Sequence, residues 1–157
     1  MNIVSFTYSG LIKRKQLIDK IYRLEAELLK GPQVDCPVEH TFLPQIYERK
    51  MTIPPWTVIS GAVHTTEHLV RLEKGVIEVL TDEGIKVLSA PCEFISRPGI
   101  KRIGRTFDCE VIWTTIHDNP DDCTDMDIIV DRISTSKNCE LLGNRPALEE
   151  VKTCHLE

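Results

Sequence analysis

The chain has 157 residues, enough for one domain with a sizeable hydrophobic core and short for two. Hydrophobic residues make up 41% and charged residues 27% of the sequence, a composition that is typical of globular proteins and excludes a disordered chain. The 24 acidic and 19 basic residues give a net charge of -5, which argues against general nucleic-acid binding because no overall positive field would attract a polyanion.

The N-terminal sequence MNIVSFTYSGLIKRKQ carries its charges after a short apolar stretch, the reverse of the order in a secretory signal. No apolar run approaches the roughly 20 residues that span a bilayer. We therefore expect a cytoplasmic protein with no membrane partner. The six cysteines form no CxxC pair and no close Cys/His pair, so the spacing predicts neither a zinc site nor a disulfide framework.

Residues 11–30, LIKRKQLIDKIYRLEAELLK, are predicted to form an amphipathic helix that ends at Gly31-Pro32. Four apolar side chains recur every three or four residues and share one face: Leu17, Ile21, Leu24 and Leu28. An apolar face this wide needs a partner surface. The helix is predicted to pack on the domain as a lid or strap, with a contact between subunits as the alternative.

From about residue 40 to residue 117 the sequence changes to short extended runs separated by turn residues. Eight strands are predicted, at residues 45–53, 56–61, 68–73, 76–81, 85–89, 92–97, 101–107 and 109–117. Asp82-Glu83-Gly84, between two β-branched runs, is typical of a hairpin. No crossover helix fits between strands this close together, which excludes a parallel sheet and predicts an antiparallel barrel or sandwich.

Five aspartates follow His117 in the segment DNPDDCTDMD. A calcium loop would need a glycine at its sharp turn, so a solvated acidic loop leading into a final strand or helix is predicted instead. The polar residues 134–157 are predicted to form a tail that is in part helical. The predicted organisation is an N-terminal extension at 1–35, a β-barrel at 36–133 and this tail.

The segment GAVHTTEHLVRLEKG places two histidines, His64 and His68, between two glycines, and RPGIKR places the turn Pro98-Gly99 before a further strand. This arrangement resembles the cupin superfamily, whose first motif is a glycine, an HxH pair, a glutamate and a closing glycine. The second cupin motif is a PxG turn followed by a histidine. More narrowly, the chain resembles short cupins encoded by bacteriophages and prophages. The resemblance covers about half of the chain and implies an all-β, cupin-type antiparallel jelly-roll barrel, here with an N-terminal amphipathic α-helix.

In metal-using cupins the three histidines and the glutamate hold a divalent metal, and this sequence keeps only part of that set. His64 takes the place of the second histidine, and His68 lies near the place of the glutamate. Ala62 and Arg102 stand where the other two histidines would be, and an arginine cannot ligate a metal and would repel it. No resident cofactor is therefore expected. The alternative is a divalent metal held weakly by His64 and His68, with His117 predicted to lie beyond the last barrel strand.

Strand parity predicts which other side chains face the interior, since alternate residues of a strand share a face. With Arg102 facing inward, the barrel would enclose a cationic cavity with an aromatic wall. Its candidate ligand-binding residues are His64, His68, Arg102, Arg49 and Trp113. A guanidinium group binds phosphate or carboxylate and an indole offers a stacking surface, so the predicted partner is an anionic small molecule. The alternative is a structural role, with both arginines paired to nearby glutamates.

Three functions remain open from the sequence. The first is a non-enzymatic binding protein of phage type, located in the bacterial host cytoplasm. It would hold an anionic ligand in the barrel or at a subunit interface, for example a nucleotide signal that it sequesters from the host. The second is a metal-dependent oxygenase or isomerase that uses His64 and His68 as ligands and Glu67 as acid and base. The third is a structural assembly protein. A homo-oligomer is expected in every case because open antiparallel edges need cover.

Overall fold

Helix α1 (Ile3–Lys30) precedes nine consecutive strands in the computed structural model, which describes residues 3–134 and 151–154. In chain order the strands are β1 (Val38–Leu43), β2 (Ile46–Ile53), β3 (Thr57–Ser60), β4 (His68–Lys74), β5 (Val76–Thr81), β6 (Gly84–Ser89), β7 (Cys92–Ser96), β8 (Ile103–Thr106) and β9 (Val111–Asp118). Helix α2 (Met126–Ile133) follows β9, and a tenth strand, β10, spans Val151–Cys154.

Two antiparallel sheets form the barrel. Within the described residues the first sheet has the order β1-β2-β9-β4-β7 and the second has the order β10-β3-β8-β5-β6. Apolar side chains of both sheets pack into one core between them: Met51, Ile53, Ile59, Leu72, Ile77, Val79 and Val111. The prediction of an all-β antiparallel jelly-roll barrel with an N-terminal helix is confirmed.

All eight predicted strands are present, each end within two residues of its predicted position. The sequence does not predict β1, which pairs with β2 at the edge of the first sheet. Five of its six residues are exposed, so β1 lacks the alternation of apolar and polar residues that identifies a half-buried strand.

Two further predictions need correction. Helix α1 begins at Ile3 rather than near residue 11, because Ser9 and Gly10 continue the helix instead of interrupting it. In the C-terminal tail, residues 151–154 form a strand rather than part of a helix, because the open edge of β3 offers them a backbone ladder. The rest of the tail predicted to be in part helical, residues 135–150 and 155–157, lies outside the described residues.

Helix α1 packs against the barrel beside β5 and β10 through a buried ionic contact. The Glu25 carboxylate accepts hydrogen bonds from the Ser60 hydroxyl and from the Lys101 ammonium group. Lys101 also donates to the carbonyl oxygen of Gly61 at 2.7 Å. The side chains of Lys101 and Glu25 are only 4% and 3% exposed, and Ile21 beside them is fully buried. The helix is thus fixed where β3 ends and β8 begins. None of the described helices is long and apolar enough to cross a lipid bilayer.

The acidic segment after β9 leads into helix α2 and stabilises its start. Asp125 caps the helix by accepting the backbone N–H of Asp127 at 3.0 Å, and Asp121 forms two 2.6 Å contacts with the Arg132 guanidinium. Three side chains of α2 (Ile129, Val130 and Ile133) pack on Tyr47 of β2. The apolar residues after the acidic loop are therefore helical, and they cover one end of the barrel.

Candidate ligand-binding site

A cavity of about 60 Å³ lies between the two sheets and has a mainly apolar wall. Its apolar lining comes from both sheets: Met51, Ile53, Ile59, Val70, Ile77 and Val79. Its polar lining consists of His64, His68, Arg102 and Thr115, with Trp113 beside them. One water molecule needs about 10 to 15 Å³ of such space, so this cavity accepts a few waters or one small functional group and excludes a whole nucleotide.

The structure brings together four of the five candidate residues predicted from the sequence. His64, His68, Arg102 and Trp113 line this cavity, as strand parity predicts. Arg49 does not line it but lies buried on β2, close enough that its charge acts on the histidines.

Two glycines shape the barrel around the cavity. Gly75, the closing glycine of the first motif, has a φ of +87°, and a Cβ there would overlap the carbonyl oxygen of Glu110. A Cβ on Gly104 would lie 2.9 Å from Cδ1 of Ile77, on the cavity wall. At both positions any side chain would collide with a neighbouring strand, so glycine is required for the close packing seen there.

Arg102 is the one cation on the cavity lining of the described chain, and its charge lacks a close counter-charge. Its Nη2 atom donates to the hydroxyl of Ser96 at 2.8 Å, and its guanidinium lies 5.5 Å from the ring centroid of Phe94. Within residues 12–134 no carboxylate lies within 4 Å of it. Burial lowers the pKa of Arg102 to about 10, and the charge of Asp82 opposes that shift only in part.

The predicted structural alternative, in which Arg102 pairs with a neighbouring glutamate, finds no support at this residue. Glu93 pairs instead with Arg71, at 2.5 Å, on the outer face of the first sheet. Glu67 is exposed in the loop before β4 and does not line the cavity. The guanidinium of Arg102 is therefore buried with no carboxylate within 4 Å among residues 12–134, and Asp82 and Glu83 offset its charge only at longer range.

Three histidine rings lie side by side at one end of the cavity. The ring centroids are 4.4 Å apart for His64 and His68, 4.6 Å for His68 and His117, and 5.2 Å for His64 and His117. His68 Nδ1 contacts the carbonyl oxygen of Thr66 at 3.1 Å. By contrast, His64 Nε2 and both ring nitrogens of His117 are buried without a hydrogen-bond partner among the described residues.

The prediction that His117 lies beyond the barrel is wrong. His117 belongs to β9 and is buried, because β9 continues to Asp118 and α2 covers that end of the barrel. The sequence does hold the signal for its position, since His117 shares strand parity with Trp113 and Thr115, which line the cavity.

The electrostatic environment keeps these three histidines neutral. Burial is the main cause that lowers the pKa of each ring, taking the pKa of His117 to about 3. Neighbouring imidazoles and the guanidinium groups of Arg49 and Arg102 lower the pKa of His64 further. At pH 7 the cavity lining thus offers the neutral imidazoles of His64 and His68, with that of His117 beside them, and a positive guanidinium.

The residues do not fit a metal centre. Close rings are not enough, because the donor atoms must converge on one point. Across the described residues, no group of three or more His, Cys, Asp or Glu side chains is arranged to hold a metal ion. The positive charge of Arg102 on the same cavity further disfavours a cation.

A second space, an open groove of about 320 Å³, adjoins the cavity between the β5–β6 hairpin and the β7–β8 loop. Val79 and Arg102 line both the cavity and the groove. The other apolar groove residues are Leu88, Cys92, Phe94, Ile95 and Ile100. The sequence does not predict the groove, because it forms where the edges of two different sheets separate.

No protein-family model and no curated protein matches this sequence. Solved structures with a similar fold include a cupin 2 conserved barrel domain protein from Salinispora arenicola, 15% identical, with a TM-score of 0.44 over 52% of this chain and 73% of that chain. Ectoine synthase from P. lautus is 10% identical, with a TM-score of 0.47 over 55% and 68%. A cupin domain from Bordetella pertussis is 16% identical, with a TM-score of 0.43 over 56% and 95%. Likeness at this level concerns the fold alone.

Proposed function

We propose that the protein binds a small anionic molecule and performs no chemistry on it. The single observation that supports this proposal is the buried guanidinium of Arg102, which faces the cavity, bonds to a serine hydroxyl and has no carboxylate within 4 Å among residues 12–134. A carboxylate or phosphate oxygen would supply the missing counter-charge through charge-assisted hydrogen bonds. Trp113 would then form an apolar wall beside the bound anion.

The histidines give the site its neutral polar contacts. His64 and His68 line the same cavity, and His64 Nε2 is buried without a partner among the described residues. A neutral imidazole both donates and accepts, so it can bond to a hydroxyl or carbonyl group of the ligand. Arg49, behind the histidines, adds positive potential without lining the cavity.

The resemblance to short phage cupins adds one specific candidate, a nucleotide signal that the protein would sequester in the host cytoplasm. A whole nucleotide exceeds the 60 Å³ cavity. It would have to place its phosphate at Arg102 and its base in the outer groove. Nucleotides therefore form one arm of the binding test, beside organic acids and sugar phosphates.

The test is isothermal titration calorimetry of the protein against organic acids, sugar phosphates, nucleotides and cyclic dinucleotides. The substitution Arg102→Gln should lower the affinity at least about tenfold for any anion whose binding calorimetry detects, because a charge-assisted hydrogen bond contributes about 1.5 to 3 kcal/mol. The matched control is Arg71→Gln, which removes an arginine of the outer face and should leave affinity unchanged. Equal losses in both variants, or no heat with any anion, would contradict the proposal.

The sequence also leaves open a metal-dependent oxygenase or isomerase. The closeness of the three histidine rings favours it, together with ring nitrogens of His64 and His117 that have no hydrogen-bond partner among the described residues. Glu67, its proposed acid and base, is exposed and lies outside the cavity lining. We propose in addition that the protein acts as a homo-oligomer, since edge strands β6 and β7 carry exposed apolar side chains.

A further inference from the structure

We infer that the ligand is an amphiphilic monocarboxylate, with its carboxylate at Arg102 and its hydrocarbon portion in the outer groove. This inference rests on the proposed function, since it uses the same anchoring residue. It adds the chemical class of the ligand and a second set of residues that bind it.

The groove and the cavity adjoin at two shared lining residues. Arg102 and Val79 line both spaces, so the guanidinium lies at the boundary between them. A molecule anchored there has room for only a small group on the inner side, against about 320 Å³ on the outer side. That outer volume lies within the size range of small-molecule sites. The bulk of an anchored ligand must therefore lie in the groove.

The groove is apolar where the ligand would lie. Its apolar lining includes Leu88, Phe94, Ile95 and Ile100, of which Ile95 lies at the outer edge and is 58% exposed to water. Covering such side chains with a hydrocarbon chain removes apolar surface from water on both molecules. A ribose or a sugar would instead place hydroxyl groups against this surface without hydrogen-bond partners.

The charges of the groove fit a single negative charge. At the rim, Glu83 forms ion pairs with Arg97 and, at 3.8 Å, with Lys86. These two cations already share a carboxylate, whereas Arg102 forms no ion pair within 4 Å in the described chain and feels Asp82 and Glu83 only at longer range. A monocarboxylate matches that one buried charge more closely than a ligand with several phosphate charges does.

Arg102 is held ready for a carboxylate. Its guanidinium lies over the ring of Phe94, and Phe94 packs edge-to-face on Trp113 with centroids 6.0 Å apart. The bond from Nη2 to Ser96 fixes a second point of the side chain. Because the arginine is already ordered by these contacts, binding costs little side-chain entropy.

The experiment compares acetate, butyrate, hexanoate and octanoate by calorimetry, with hexanol and a nucleoside monophosphate as uncharged and polar comparators. While the chain stays in the groove, each added methylene should tighten binding by up to about fourfold. Hexanol should bind more weakly than hexanoate, and Arg102→Gln should remove that difference.

Two matched variants test the groove itself. Ile95→Asn should flatten the dependence on chain length while acetate binding is kept. Ile128→Asn, which replaces another exposed isoleucine on α2 and outside the groove, should leave the dependence intact.

The outcomes separate this inference from the proposed function. If the carboxylates bind through Arg102 but the affinity does not increase from acetate to octanoate, the inference is wrong and the anion site stands. Tighter binding of the nucleotide than of octanoate would do the same. If no carboxylate and no nucleotide binds through Arg102, both proposals are wrong.

Discussion

Lys101 and Arg102 are adjacent cations with opposite surroundings. Lys101 points towards α1 and is neutralised by Glu25, whereas Arg102 points into the cavity and meets no carboxylate within 4 Å in the described chain. Alternation along an extended segment explains the opposite directions. The first charge holds the helix, and the second is the one that we propose binds the ligand.

Burial of the three histidines predicts how stability depends on pH. Their pKa values in the folded protein lie below the value near 6.5 of an unfolded chain. Between those values the unfolded state binds protons and the folded state does not, so the free energy of unfolding falls as the pH is lowered. Each histidine contributes up to about 1.4 kcal/mol per pH unit.

Urea denaturation at pH 7.5, 6.5 and 5.5 measures this dependence above the range in which carboxylates titrate. His117→Phe should reduce the slope of the free energy of unfolding against pH by the equivalent of about one proton. His40→Gln, at an exposed position of β1, should leave most of that slope unchanged. A free energy of unfolding that is constant over this range would show that the rings are not held neutral.

At the scale of elements, the contact between α1 and the barrel depends on the buried pair of Glu25 and Lys101. Lys101→Met should lower the free energy of unfolding by about 3 to 5 kcal/mol, because it leaves a buried carboxylate without its cation. The double variant Glu25→Leu/Lys101→Met should recover most of that loss, since an apolar pair has no charge to desolvate.

Chemical denaturation of the single and double variants provides the measurement. The control is Lys74→Met, which breaks an ion pair with Glu110 on the surface and should cost less than about 1 kcal/mol. A double variant as unstable as the sum of its two single variants would mean that the two side chains act independently.

The elements differ in how well the sequence predicts them. Strands β5 and β6 are predictable because Asp82-Glu83-Gly84 marks their hairpin. Strand β2 is predictable because Tyr47, Met51 and Ile53 share strand parity, and the structure buries that face. Strand β1 has almost no buried face, so only its pairing with β2 defines it.

The candidate site divides in a similar way. Strand parity predicts that Arg102 and Trp113 share one cavity. The partnership of Lys101 with Glu25 is not predictable from local sequence, because their residues are 76 positions apart. The groove likewise depends on how the edges of two sheets meet, which no local pattern encodes.

At the scale of the whole molecule, the exposed edge strand β6 predicts self-association. Ile85 and Val87 are 62% and 59% exposed, and they alternate with Lys86 and Leu88, which line the groove. An interface over Ile85 and Val87 would therefore leave the groove open. Val87→Lys should dissociate the oligomer, whereas Phe42→Lys on the edge strand β1 should not.

Native mass spectrometry of protein purified without chelator measures the mass of the oligomer and detects any bound species. A monomeric wild-type protein would contradict the expected oligomer. A stoichiometric metal lost on acidification would favour the oxygenase or isomerase alternative. A stable oligomer that takes up none of the tested anions would favour the assembly function.

The ion pair between α1 and the segment just before β8 also dictates an order of events during protein synthesis. Glu25 leaves the ribosome 76 residues before Lys101, which at 5 to 20 residues per second corresponds to about 4 to 15 s. Throughout that interval α1 lacks the cation that neutralises its buried carboxylate, and the apolar surface around Ile21 faces water. Helix α1 can therefore settle on the barrel only after residue 101 has emerged, so a helix made before the barrel is secured only once strands β1 to β7 have been made.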